Sequence, residues 1–197
     1  MLFARILLNG INEGKDPSNT HDTKNTNNMH EQILEELNET RSSLVKVLTS
    51  IEKEQVNVIP FEGSWSAAQL TEHILKSLKG VLNIMHGPVR ETKREPTAKL
   101  MGVKQAMLDS NARYTAPGFL NPSTLIQDQQ VLVDSIETKM QQISEAFQQL
   151  NPNETCTAYE LPGAGTLTRL EWVYFVIYHT QRHTRQMENI RRQLAGV

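Results

Sequence analysis

The chain has 197 residues, of which 38% are hydrophobic and 21% charged, with a formal net charge of −2. This is the size and composition of one globular domain with a single core. The slight acidic balance excludes a basic nucleic-acid footprint, and no apolar stretch approaches the roughly 20 residues of a membrane span. Cys156 is the only cysteine, which excludes an internal disulfide or a cysteine-based metal cluster and fits a cytoplasmic location.

Residues 1–8 are apolar apart from Arg5, and residues 9–28 are rich in Asn, Thr, Asp and Lys. They lack the longer apolar run and the small-residue cleavage site of a secretory signal. Residues 1–28 are therefore expected to be a disordered leader or an upstream extension. Met29 is an alternative start, and residues 29–197 are expected to form one domain.

Four long helical segments follow. The first covers about residues 30–53, with Ile33, Leu34, Leu37, Leu44, Val45, Leu48 and Ile51 at helical spacing. Pro60 and Gly63 mark a connection. Ser66, with Gln69 three residues on, forms a capping box that opens the second helix. Leu70, Ile74, Leu78, Val81, Leu82 and Met85 carry its apolar face until Gly87-Pro88 stops it. Residues 88–122 are the least regular part, with a short helix expected over 103–108. So long a connection either crosses over the bundle or carries function. The third long helix is expected from Ser123 to about Leu150, burying Leu125, Val131, Leu132, Ile136, Met140, Ile143 and Phe147. Thr168 and Glu171 form a second capping box ahead of a fourth helix reaching Leu194. No strand signal competes, so the fold class is all-α, a four-helix bundle with a long crossover between its second and third helices.

The strongest local signal is His179-Thr180-Gln181-Arg182-His183. Residues four apart project from one helix face, so both imidazoles can reach one metal ion. Thr180 stands where a zincin metalloprotease needs its glutamate base, which excludes that reading. Trp172, Val176, Met187 and Ile190 share the broad side of the helix that carries the pair, and an imidazole buried there needs a partner. His73, beside the apolar stripe of the second helix, is placed to be a third ligand from a facing helix. Three neutral histidines would leave an open position on zinc, nickel or iron. Spacing alone leaves the alternative that each is a hydrogen-bonded core residue. His86 lies roughly three turns from His73, His21 and His30 precede or open the first helix, and Cys156 reads as an ordinary loop thiol. Arg182, Arg185, Arg191 and Arg192 read as a solvated face favoured by the helix dipole.

Four segments together resemble the DinB-like and YfiT-like superfamily of metal-dependent helical bundles. Trp65-Ser66-Ala67-Ala68-Gln69-Leu70-Thr71-Glu72-His73 is similar to the tryptophan-led helix that ends in the family's first ligand. Residues 116–123, Ala-Pro-Gly-Phe-Leu-Asn-Pro-Ser, resemble the approach to its third helix. Residues 161–168, Leu-Pro-Gly-Ala-Gly-Thr-Leu-Thr, resemble the approach to its last. Glu171-Trp172, His179, Arg182-His183 and Gln186 resemble the last helix itself. Many members carry histidine where this chain has Leu161.

The resemblance spans about residues 29–194. It implies a down-up-up-down bundle, one divalent metal ion on His73, His179 and His183, and a homodimer. It further implies a small-molecule substrate, with transfer of a low-molecular-weight thiol onto an electrophile as the expected activity. Gln69 and Gln186, one turn from ligands, are candidates to hold the histidines from behind. No residue is placed to be named as a general base. The alternative is a non-catalytic stress or interaction bundle whose metal is structural or absent.

Overall fold

The computed structural model describes residues 19–109, 111, 112 and 115–196. By internal contacts the chain divides into two compact units, Met1–Ile33 and Leu34–Val197. In the first, the described segment is the opening of helix α1 (Asn19–Thr49); residues 1–18 of the expected leader lie outside the described residues. The helix begins upstream of His30, where the apolar periodicity starts. Once a helix is nucleated, each further residue closes one more bond, so a polar segment can extend it.

The second unit is an all-α bundle. After α1 come α2 (Ala67–Met85), a short α3 (Leu100–Leu108), α4 (Gln129–Gln149) and α5 (Arg169–Leu194). Leu44 and Leu48 of α1, Leu70 and Ile74 of α2, Ile136 and Ile143 of α4, and Val173 and Ile177 of α5 form the core, each 0% exposed. α2 packs against both α4 and α5, and α3 lies on α5. Both expected capping boxes are present. Ser66 and Gln69 exchange side-chain and backbone bonds at the start of α2, as Thr168 and Glu171 do at the start of α5. Gln129 closes the other end of α1, donating from Nε2 to the carbonyls of Leu48 at 2.8 Å and Ile51 at 2.7 Å. Leu48 is in the last turn of α1, where carbonyls lack helical i+4 partners, and Ile51 lies two residues past its end. No helix among the described residues is long and apolar enough to cross a membrane.

Three expectations need correction. The third long helix opens at Gln129, not Ser123. Asp128 caps it by accepting from the Val131 amide, while Ser123, held to Glu72 through its amide and hydroxyl, accepts only from the Leu125 amide in a local turn. Leu125 and Val131, expected to be buried, are therefore 71% and 59% exposed. A short antiparallel ladder also joins β1 (Val89–Arg90) to β2 (Thr155–Cys156), pairing Val89 with Cys156 and Arg90 with Thr155. Two-residue strands carry too little alternation to be seen in sequence. Lastly, Arg182 is not part of a solvated face. Its guanidinium donates to the carbonyls of Met107, Asp109 and Ala112 at 3.2, 2.9 and 2.7 Å, tying the end of α3 to α5.

The crossover is thus anchored to α5 beside the histidine pair.

Candidate metal centre

α5 begins with a buried acid whose every role is structural. Glu171 caps its own helix, meets Arg94 through two parallel bonds of 2.8 and 2.6 Å, and accepts from the Lys99 amide at 2.8 Å. The Lys99 ammonium in turn donates to the Thr166 carbonyl at 2.7 Å and to that of Ala164. The turn it grips closes between Leu161 and Gly165, where Gly163 and Gly165 take φ of 79° and 69° that side chains disfavour. Arg169 is bonded to Glu154 and, at 2.8 Å, to the Met85 carbonyl at the end of α2. The start of α5 is therefore fixed against α2 and the crossover, and with it the phase of everything further along the helix.

Two turns on, that phase turns His179 and His183 toward α2. With His73 they form a cluster in which one ligand atom from each ring lies within 4.8 Å of the others. Ring centroids are 4.4 Å apart for His179 and His183, 4.8 Å for His73 and His183, and 5.4 Å for His73 and His179. His73 and His183 are buried, and His179 is partly covered.

The outer nitrogens of two rings are committed. His73 Nδ1–H donates to the Leu120 carbonyl at 3.0 Å, which leaves its Nε2 a lone pair. His183 Nδ1–H donates to Gln186 Oε1 at 3.0 Å, with the same result. His183 Nε2 lies 3.1 Å from His179 Nε2. Two nitrogens on one zinc ion at tetrahedral angles stand roughly 3.3 Å apart, so this spacing matches the donor set.

Burial pushes all three rings toward their neutral form. It lowers His73 below its ordinary value and His179 well below, and it brings His183 down to about 4. The neighbouring imidazoles add to this for His179 and His183. All three are thus unprotonated at neutral pH, the form a metal ion requires.

Aromatic rings wall the cluster. Trp65 tilts against His73 with centroids 5.1 Å apart, and Phe175 stacks on His179 at 5.1 Å and 20°. Phe175 sits four residues before His179, so helical spacing would have placed it. The Leu120 carbonyl is a backbone atom in an irregular segment and carries no such signal.

Gln186 touches a histidine. Gln69 does not, since its side chain closes the α2 cap and donates to the Ser123 carbonyl at 3.2 Å. Glu72 is turned to Ser123 and Lys76. Burial alone would raise its carboxyl, but hydrogen bonds from those two residues outweigh it and hold the group below its ordinary value. His86 is exposed at the C-terminal end of α2, away from the cluster. Cys156 lies on β2 rather than in a loop, is 0% exposed, and burial raises its thiol to about 11.

A helical bundle with histidines converging from two helices defines the class, and comparison with known proteins gives the family. The profile of the DinB superfamily matches residues 36–187, and the chain belongs to that superfamily. It is also similar to the uncharacterized protein YuaE of Bacillus subtilis (strain 168), 22% identical over 162 residues that cover 80% of this chain and 96% of that protein. No solved structure matches.

Proposed function

We propose that His73, His179 and His183 hold one divalent metal ion, zinc, nickel or iron, and that the protein uses it to transfer a low-molecular-weight thiol onto an electrophilic small molecule. The observation that carries this reading is the direction of the ring nitrogens. Two outer nitrogens are tied to Leu120 and Gln186, while one ligand nitrogen of each ring lies within 4.8 Å of the others.

An ion bound there would supply a Lewis acid able to hold a coordinated thiol as its thiolate at neutral pH. The chain's own part is to present three neutral donors, to fix the tautomers of His73 and His183, and to leave a coordination position unfilled by protein. Phe175 and Trp65 give that position apolar walls, which limit water and suit a compact, partly apolar reactant.

Metal analysis of tag-free protein should find about one ion per chain, and His179→Ala should lose it. A screen of small thiols against electrophiles should then show turnover that a chelator abolishes. Loaded protein with no turnover across thiol and hydrolytic substrates would favour the non-catalytic reading instead.

The protein is further proposed to act in the cytoplasm as a homodimer. What supports a second copy is the region where Asn57 and Gln127 exchange two hydrogen bonds of 2.9 and 3.0 Å. The loops they join expose Ile59 and Phe61 beside Leu125 and Ile126, the last 87% exposed. Sedimentation of the protein and of Ile126→Ser should show a dimer weakened by the change; a monomeric parent would remove this part of the reading.

A further inference from the structure

The side chains of Gln69, Glu72, His73 and Lys76 share one face of α2, because positions three, four and seven apart fall in register on a helix. All four are bonded to a single stretch of the crossover, residues 120–123. Gln69 Nε2 donates to the Ser123 carbonyl at 3.2 Å. Glu72 Oε2 accepts from the Ser123 amide at 3.0 Å and its hydroxyl at 2.8 Å. Lys76 donates to the Asn121 carbonyl at 2.6 Å and pairs with Glu72 at 3.0 Å. The fourth, His73, donates Nδ1–H to the Leu120 carbonyl.

Three side chains therefore grip the segment, and the segment in turn fixes the ring between them. Residues 120–123 lie outside helix or strand apart from the last residue of a single 3-10 turn, Gly118–Leu120. Regular backbone pairing does not hold the Leu120 carbonyl in place. Its position depends on the side-chain bonds just named, of which Glu72 makes two and supports a third through Lys76.

We propose that Glu72, with Gln69 and Lys76, is a positioning residue for the metal centre, clamping residues 120–123 so that the Leu120 carbonyl sets the tautomer and the aim of His73. The inference rests on the three-histidine metal reading. It gives the acid beside the first histidine a role as clamp rather than base, since both its oxygens face Ser123 and Lys76. It also explains why Gln69, which touches no histidine, still bears on the site.

Removing a partner that orients a metal-bound histidine commonly weakens binding by about 10- to 100-fold. Glu72 acts one bond further out, so its loss belongs at the lower end. The test is zinc affinity by competition with a chromophoric chelator, run on the full chain alongside melting of the metal-free protein. Glu72→Ala should bind zinc about tenfold more weakly. Glu72→Gln, which keeps an oxygen to accept from the Ser123 amide, should recover most of that loss. Ser123→Ala deletes one hydroxyl and leaves the helices untouched; it should show a smaller loss in the same direction, and so carries the test should Glu72→Ala fail to fold.

His73→Gln separates the two levels of the argument. If it abolishes binding while Glu72→Ala and Ser123→Ala bind as the parent does, the clamp is overturned and the metal reading stands. If the parent binds no zinc, both fall. Equal losses in Glu72→Ala and Glu72→Gln would also overturn the clamp, because the retained acceptor would then count for nothing.

Discussion

At the N-terminal end of α5 every charge of the buried network has a partner, whereas two turns further on His179 and His183 meet His73 of α2 in a cluster of neutral rings with one ligand atom from each within 4.8 Å of the others. Glu171 is 0% exposed, yet Arg94, the Lys99 amide and its own helix cap share its oxygens. Arg169 is satisfied by Glu154 and by the carbonyls of Met85 and Asn151. Nothing in this network is left to bind a ligand. At His73, His179 and His183 the outer nitrogens of two rings are paired elsewhere in the chain, and the inner ones meet only within the cluster, His183 Nε2 lying 3.1 Å from His179 Nε2. The same helix thus carries one polar cluster that closes the structure and one that stays open. Burial alone does not separate them; the direction of the unspent hydrogen-bonding capacity does.

That contrast can be broken from either end. The largest expected effect on binding is at the open cluster: His183→Ala should reduce bound metal from about one ion per chain to none, with the helical circular-dichroism signal retained. Loss of helix together with metal would make the cluster structural, like its neighbour. The largest expected effect on stability is at the closed cluster. Glu171→Ala removes both Arg94 bonds and the side-chain half of the capping box while the Thr168 cap remains, and breaking a pair buried on one side costs about 3 kcal/mol. Urea unfolding measures it.

Acid sharpens the comparison further. In the metal-free protein burial brings His183 down to about 4 and holds His179 well below the ordinary value of 6.5. Below that ordinary value the unfolded chain takes up protons that the folded chain refuses. Stability is therefore fully present above about pH 6.5 and falls as pH drops toward 4. His183→Gln should flatten this slope in melting curves of the metal-free protein, and an unchanged slope would contradict the buried, neutral state. The smallest effect concerns Cys156. Its thiol is raised to about 11 and fully covered, so a thiol reagent at neutral pH should label it only in denaturant.

Much of this was legible from the sequence, for a physical reason. Helical periodicity is local, so the long helices, both capping boxes and the shared face of His179 and His183 follow from spacing within a few residues. His73 could be placed on a facing helix, but its distance to the pair depends on how α2 and α5 pack. What escaped was non-local. Ser123 has the look of a helix cap, and only the folded chain shows it drawn to Glu72 on α2 while Asp128 caps α4. Arg182 looked solvated because the carbonyls it binds lie some seventy residues earlier in the chain.

The most direct test of the central claim is an anomalous-diffraction map, collected at the absorption edge of the metal that co-purifies with tag-free protein. The account predicts a single strong peak bonded to Nε2 of His73, His179 and His183 at about 2.1 Å, with at least one further position open to solvent or ligand. No peak there, or the metal held elsewhere on the chain, would contradict it.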